Sequence, residues 1–155
     1  MALIYKPKLG RVRAGRPEIL RRKEAASATF EEGELVASSG GYLAVCGTNP
    51  AKILGISMQA GHNGLVGVNS CDVLVANVNT LFLVQVHHAT PANAVIEATD
   101  LDSIFGVTIS GHIWYIDKAK VTTDARFKIV EFFDPVGTLN GRVYAQALTT
   151  FREID

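Results

Sequence analysis

Val107-Thr-Ile109, Ser110-Gly111 and His112-Ile-Trp-Tyr-Ile116 read as two strands joined by a turn. β-Branched and aromatic residues flank a Ser-Gly break, and glycine supplies the positive φ that a tight hairpin needs. Trp114 and Tyr115 are neighbours, so in a strand they point to opposite faces. Trp114 is expected in the core and Tyr115 outward or at an interface, since large aromatics are mostly buried.

The same pattern continues in both directions. Short apolar or β-branched runs occur at 34–38, 42–46, 52–59, 65–68, 73–78 and 80–87, then at 95–98, 106–109, 112–116, 127–133 and 142–148. Gly, Asn, Asp and Pro punctuate them, as in Ser39-Gly-Gly41, Gly47-Thr-Asn-Pro50 and Ala60-Gly-His-Asn-Gly64. Asn140-Gly141 before Arg142 is a hairpin signal, and Pro135 ends the run Lys128–Phe133 because proline cannot donate to a ladder. Gly55 within Ile53-Leu-Gly-Ile56 marks a bulge or a close backbone approach. Leu101–Phe105 is expected to form a single helical turn. No stretch holds a helical period over ten or more residues, so the fold class is all-β, a compact antiparallel β-barrel or β-sandwich.

The chain has 155 residues, 48% of them hydrophobic and 19% charged, which fits one globular domain and excludes whole-chain disorder. Its net charge of zero conceals an asymmetry. Residues 1–23 carry Lys6, Lys8, Arg11, Arg13, Arg16, Arg21, Arg22 and Lys23 against Glu18 alone, a balance of +7, and residues 24–155 carry the compensating −7. Residues 1–28 therefore read as an extended basic N-terminal arm, with a short helix at Pro17–Ala26, and 29–155 as the β domain. The eight cations are the candidate partner-binding residues, since such asymmetry points to a partner of opposite sign.

Chemistry-bearing motifs are missing. Gly61–Gly67 is glycine-rich but has no Walker lysine. Cys46, Cys71, His62, His87 and His88 lack metal-ligand spacing, and adjacent strand histidines point apart. No Gly-x-Ser-x-Gly elbow occurs. Expectations follow: no enzyme, no metal, no cofactor and no small-molecule substrate. The arm has a single aromatic, Tyr5, and precedes an acidic body, so nucleic acid is not the expected partner. The uncharged run between Asp72 and Glu97 contains several Asn and His, so no membrane span is expected. Met1–Tyr5 is too short for a signal peptide, which makes the cytoplasm, with reduced cysteines, the expected site of synthesis.

The order of several segments carries a resemblance. Thr29-Phe-Glu-Glu-Gly-Glu-Leu-Val36, Ser39-Gly-Gly-Tyr-Leu43 and Pro50-Ala-Lys-Ile-Leu-Gly-Ile-Ser57 come first. Gly106-Val-Thr, Ile113-Trp-Tyr-Ile-Asp117, Thr122-Thr-Asp-Ala-Arg126 and Asp134-Pro-Val-Gly-Thr-Leu-Asn-Gly-Arg-Val143 follow. Over residues 28–148 this run resembles the head decoration (cement) proteins of tailed bacteriophages. The resemblance implies a structural protein on the outer surface of the capsid, bridging capsomers of the major capsid protein as a homotrimer. It does not extend to the arm. A nucleic-acid-binding or tail-associated β-module using the arm is the alternative.

Overall fold

The structure is a computed structural model and describes residues 5–154. The first four residues of the expected arm lie outside the described residues. The fold is all-β, with no helix of seven or more residues among the described residues. Among the described residues, no helix is long and apolar enough to cross a membrane.

Among the described residues, eleven strands occur in order: β1 (Lys8–Val12), β2 (Ile19–Lys23), β3 (Leu35–Ser39), β4 (Tyr42–Val45), β5 (Gly55–Ser57), β6 (Ser70–Val75), β7 (Thr80–His87), β8 (Ile104–Ser110), β9 (Ile113–Asp117), β10 (Phe127–Phe132) and β11 (Arg142–Ala147). β7 organises the first sheet. It pairs with β11 on one edge, while its other edge takes β1 at Thr80–Leu83 and then β9 at Val86–His87. The circuit β7-β11-β10-β8-β9 returns to β7, which closes a five-stranded barrel with β1 as an added strand. The second sheet runs β2-β6-β5-β3-β4 and curls until Glu24 bridges Leu43.

Period-two alternation fills the barrel. Phe82, Val84 and Val86 of β7 join Phe105, Val107, Trp114, Ile116, Phe127, Ile129, Val143 and Ala145 in one buried cluster. Trp114 stacks on Phe127 and meets Phe82 edge-on, with ring centroids 5.0 and 6.1 Å apart. The second sheet is apolar on both faces. Leu35, Ile56 and Leu74 pack into the barrel cluster, whereas Val36, Leu54, Cys71 and Val73 build a smaller core with Phe30 and Leu43. The indole N–H of Trp114 donates to the Gly33 carbonyl at 2.8 Å, stitching barrel to second sheet. Gly55 is a close approach: a Cβ there would sit 1.9 Å from the Leu74 carbonyl oxygen.

Several sequence expectations are corrected. Residues 17–26 are not helical: β2 occupies their middle, pairing with β6 through Leu20↔Val73 and Arg22↔Cys71. The basic segment is not a free arm over its described length, because β1 and β2 are each built into a sheet. Residues 65–68 are not a strand, and 95–98 hold only one bridge, Val95 to Leu139. The helical turn expected at 101–105 falls earlier, at Ala98–Asp100, where Glu97 and Asp100 form a capping box. Asn140-Gly141 is not a two-residue turn. It ends a longer loop, with the Asn140 amide donating to Val86 and a Cβ at Gly141 barred by Ile96. Tyr115 is buried like Trp114.

Candidate interaction surface

The eight candidate cations divide by partner. Lys6 pairs with Glu31, Arg11 with Glu131 and Arg21 with Asp72. Arg11 also lies over the Tyr144 ring, 4.9 Å from its centroid, so β1 is fixed to the barrel by side chains as well as by its ladder. Among the described residues, Lys8, Arg13, Arg16, Arg22 and Lys23 have no carboxylate partner. Arg13 and Arg16 stand exposed on the connection between β1 and β2, which turns at Gly15 (φ +71°). Arg21, Arg22 and Lys23 follow on β2. The structure therefore brings the β1–β2 connection and β2 into one cationic stretch, while Lys6 and Arg11 are occupied elsewhere.

Beside Lys23 lies a feature that the sequence reading placed in a strand. Leu65, Val66 and Val68 are 77, 51 and 61% exposed on a loop of residues 58–69. Gly67 of this loop approaches the Tyr42 ring, which is itself partly exposed. The loop is held firmly. Ser27 N–H donates to the Gly64 carbonyl, Asn63 N–H to Ala28, Gly61 N–H to Phe30 and Gly67 N–H to Glu24. The Glu24 carboxylate is buried; it accepts the His62 backbone N–H at 2.8 Å and pairs with His62 Nδ1. A buried carboxylate with such partners anchors a loop, and unpartnered it would be costly. The result is an apolar knob on a loop hydrogen-bonded to the end of β2.

Other polar groups hold the fold together. Lys118 is buried; its ammonium reaches Asp100 at 2.9 Å, the Val95 carbonyl at 2.7 Å and Glu97 at 3.1 Å, which uses all three donors. The buried Arg126 guanidinium donates to the carbonyls of Pro50, Asn49, Thr123 and Ala125 and lies over Phe151. Asp134 is held below the ordinary carboxylate range by its hydrogen bonds from Arg142. Across a cleft of about 370 Å³ between the sheets, His112 on the β8–β9 turn meets buried Glu34 at 2.9 Å and Glu31 at 3.8 Å. The Glu34 hydrogen bond pushes His112 above the ordinary imidazole value.

Burial pushes the Cys46 thiol up to about 12 and raises that of Cys71, so both behave as small core hydrophobes. A second cleft, of about 520 Å³, is lined by His88, Glu97, Asp100 and Lys118, but its lysine and aspartate are spent on each other. His87 and His88 are both half-buried. Among the described residues, no group of three or more His, Cys, Asp or Glu could hold a metal ion. No protein-family model matches the chain, and neither a curated protein nor a solved structure matches it.

Proposed function

We propose that the chain is a structural protein, a capsid decoration protein that binds the outer surface of a tailed-phage head. It joins neighbouring capsomers of the major capsid protein, as a homotrimer. The observation that carries this reading is the knob of Leu65, Val66 and Val68, exposed on a loop that is hydrogen-bonded to Glu24 at the end of cationic β2. Exposed apolar side chains on a fixed, ringed patch mark an interaction site. Burying each would contribute up to about 1.5–3 kcal/mol. The cations add only ~0–1 kcal/mol apiece, but they set the partner's sign as acidic. The order of segments shared with decoration proteins supports the same reading. Closed three-fold symmetry would cover apolar surface without forming fibres.

Adding purified protein to undecorated heads of the same phage tests this. Saturable binding, with light scattering giving a trimer, is expected. Leu65→Asp with Val68→Asp should abolish attachment and leave thermal unfolding nearly unchanged. Failure of the wild type to bind heads would refute the reading. The unpaired Arg13 and Arg16 favour phosphate contact as the second reading. It predicts DNA affinity falling by roughly 0.9 log units per log unit of salt for each phosphate neutralised.

A further inference from the structure

β2 is an edge strand, and its backbone has two sides. Antiparallel pairing engages alternate residues. Glu24 N–H donates to Asn69 C=O, and Val75 N–H donates to Glu18 C=O, so even-numbered residues 18–24 face β6. The N–H and C=O of Ile19 and Arg21, and the N–H of Lys23, face away from it. β4 lies beside the C-terminal end of this stretch, where Glu24 bridges Leu43 and Ala25 N–H donates to Leu43 C=O at 2.9 Å, so the open part of the edge is Ile19 and Arg21. Among the described residues no other backbone group meets the outward side of Ile19 or Arg21. The Arg21 carbonyl accepts only a 3.3 Å contact from the guanidinium of Arg22.

Open edges of this kind invite another strand, and proteins usually blunt them with charge or proline. This one has charge of a single sign. Arg21, Arg22 and Lys23 succeed one another along it, and Arg13 and Arg16 precede it on the connection from β1. The acidic groups nearby are engaged: Glu18 accepts from the Asn77 amide, Asp72 pairs with Arg21, and Glu24 is buried against His62. Leu20 points inward to the small core, so an added strand would not disturb it.

We propose that β2 accepts an extended acidic segment of a partner protein by strand addition. Backbone hydrogen bonds to Ile19 and Arg21 supply the grip, and the cations select carboxylate side chains. This deepens the decoration reading by naming the chemistry that the capsid must present: an acidic, extended stretch of chain.

The test uses full-length protein and a short acetylated peptide alternating valine and glutamate, with a lysine-for-glutamate version as control. Amide hydrogen exchange is followed residue by residue. In the free protein, Leu20, Arg22 and Glu24 amides should exchange slowly, and Ile19 and Arg21 amides quickly. The acidic peptide should slow the second set, and the lysine peptide should not. Ile19→Pro removes one outward N–H, keeps every charge and spares the β6 ladder, so it should weaken peptide binding roughly fivefold or more. Arg22→Glu with Lys23→Glu should weaken it further and remove its salt dependence. Protection that is absent, falls on the even-numbered residues, or is equal with the lysine peptide overturns the proposal; so does full affinity in Ile19→Pro. Heads separate the two readings. If wild type and Ile19→Pro decorate equally, the strand-addition proposal fails and decoration stands. If neither binds, decoration fails and the peptide result judges the edge alone.

Discussion

Replacing Trp114 by phenylalanine should separate the two sheets' shared core from the barrel's own. The indole is fully buried, stacks on Phe127 and donates to the buried Gly33 carbonyl across the junction. Phenylalanine keeps the stack but leaves that carbonyl without its donor, which costs about 1–3 kcal/mol. The lost ring volume, roughly 40 Å³, adds about 1 kcal/mol of cavity at ~24 cal/mol per Å³. Including lost apolar burial, the total is roughly 3–4 kcal/mol, or a fall in Tm of about 6–16 °C for a chain of this size. Urea unfolding followed by far-ultraviolet circular dichroism measures it, because Trp114 is the only tryptophan and the variant has no fluorescence reporter. Phe82→Leu is the control, as it loses volume in the same cluster but no hydrogen bond. A Trp114→Phe variant within about 1 kcal/mol of wild type would refute the claim that this bond ties the sheets together.

Lys118→Met should destabilise by about 3–5 kcal/mol, since it leaves Asp100 buried without its ammonium, and the denaturation midpoint reads this directly. The His112–Glu34 contact should make stability fall on the alkaline side. Because the folded His112 value lies above its ordinary 6.5, the contribution is complete below about pH 6.5 and is lost as pH rises through the raised value. Comparing Tm for wild type and His112→Gln across this range should show a gap that closes with rising pH; a constant gap would contradict it.

The barrel was legible because its strands obey one rule. Phe127 and Ile129 alternate with half-buried neighbours, as do Val143, Ala145 and Ala147, and Gly111 supplies the positive φ of the β8–β9 turn, which falls at Gly111-His112, one residue later than the sequence places it. The second sheet was harder to read. Leu35-Val36 and Val73-Leu74 are buried on both faces, so their continuous apolar runs hide which residue meets which core. The N-terminal segment misled through its charge. In β2 only Leu20 packs inward, so the sequence has no apolar alternation to announce a strand, and its pairing depends on β6 far along the chain. Pro17 and the run Glu18–Ala26 gave good local helix propensity, and tertiary pairing overrode it. At the knob the signal was present but conflicting. Leu65, Val66 and Val68 suggested a strand, while Gly61, Gly64 and Gly67 made a loop able to hold them in solvent. The buried Glu24 that anchors this loop carried no local sign, because His62 lies 38 residues away.

Cryo-electron microscopy of the virion tests the central proposal most directly. The account predicts density for this fold on the outer face of the head, three copies around each local three-fold axis. Leu65, Val66, Val68 and the β2 edge should face the shell, with an acidic stretch of the major capsid protein beside Arg21–Lys23. Virions carrying the protein inside the head or on the tail, or on the shell with the knob and β2 turned to solvent, would contradict it.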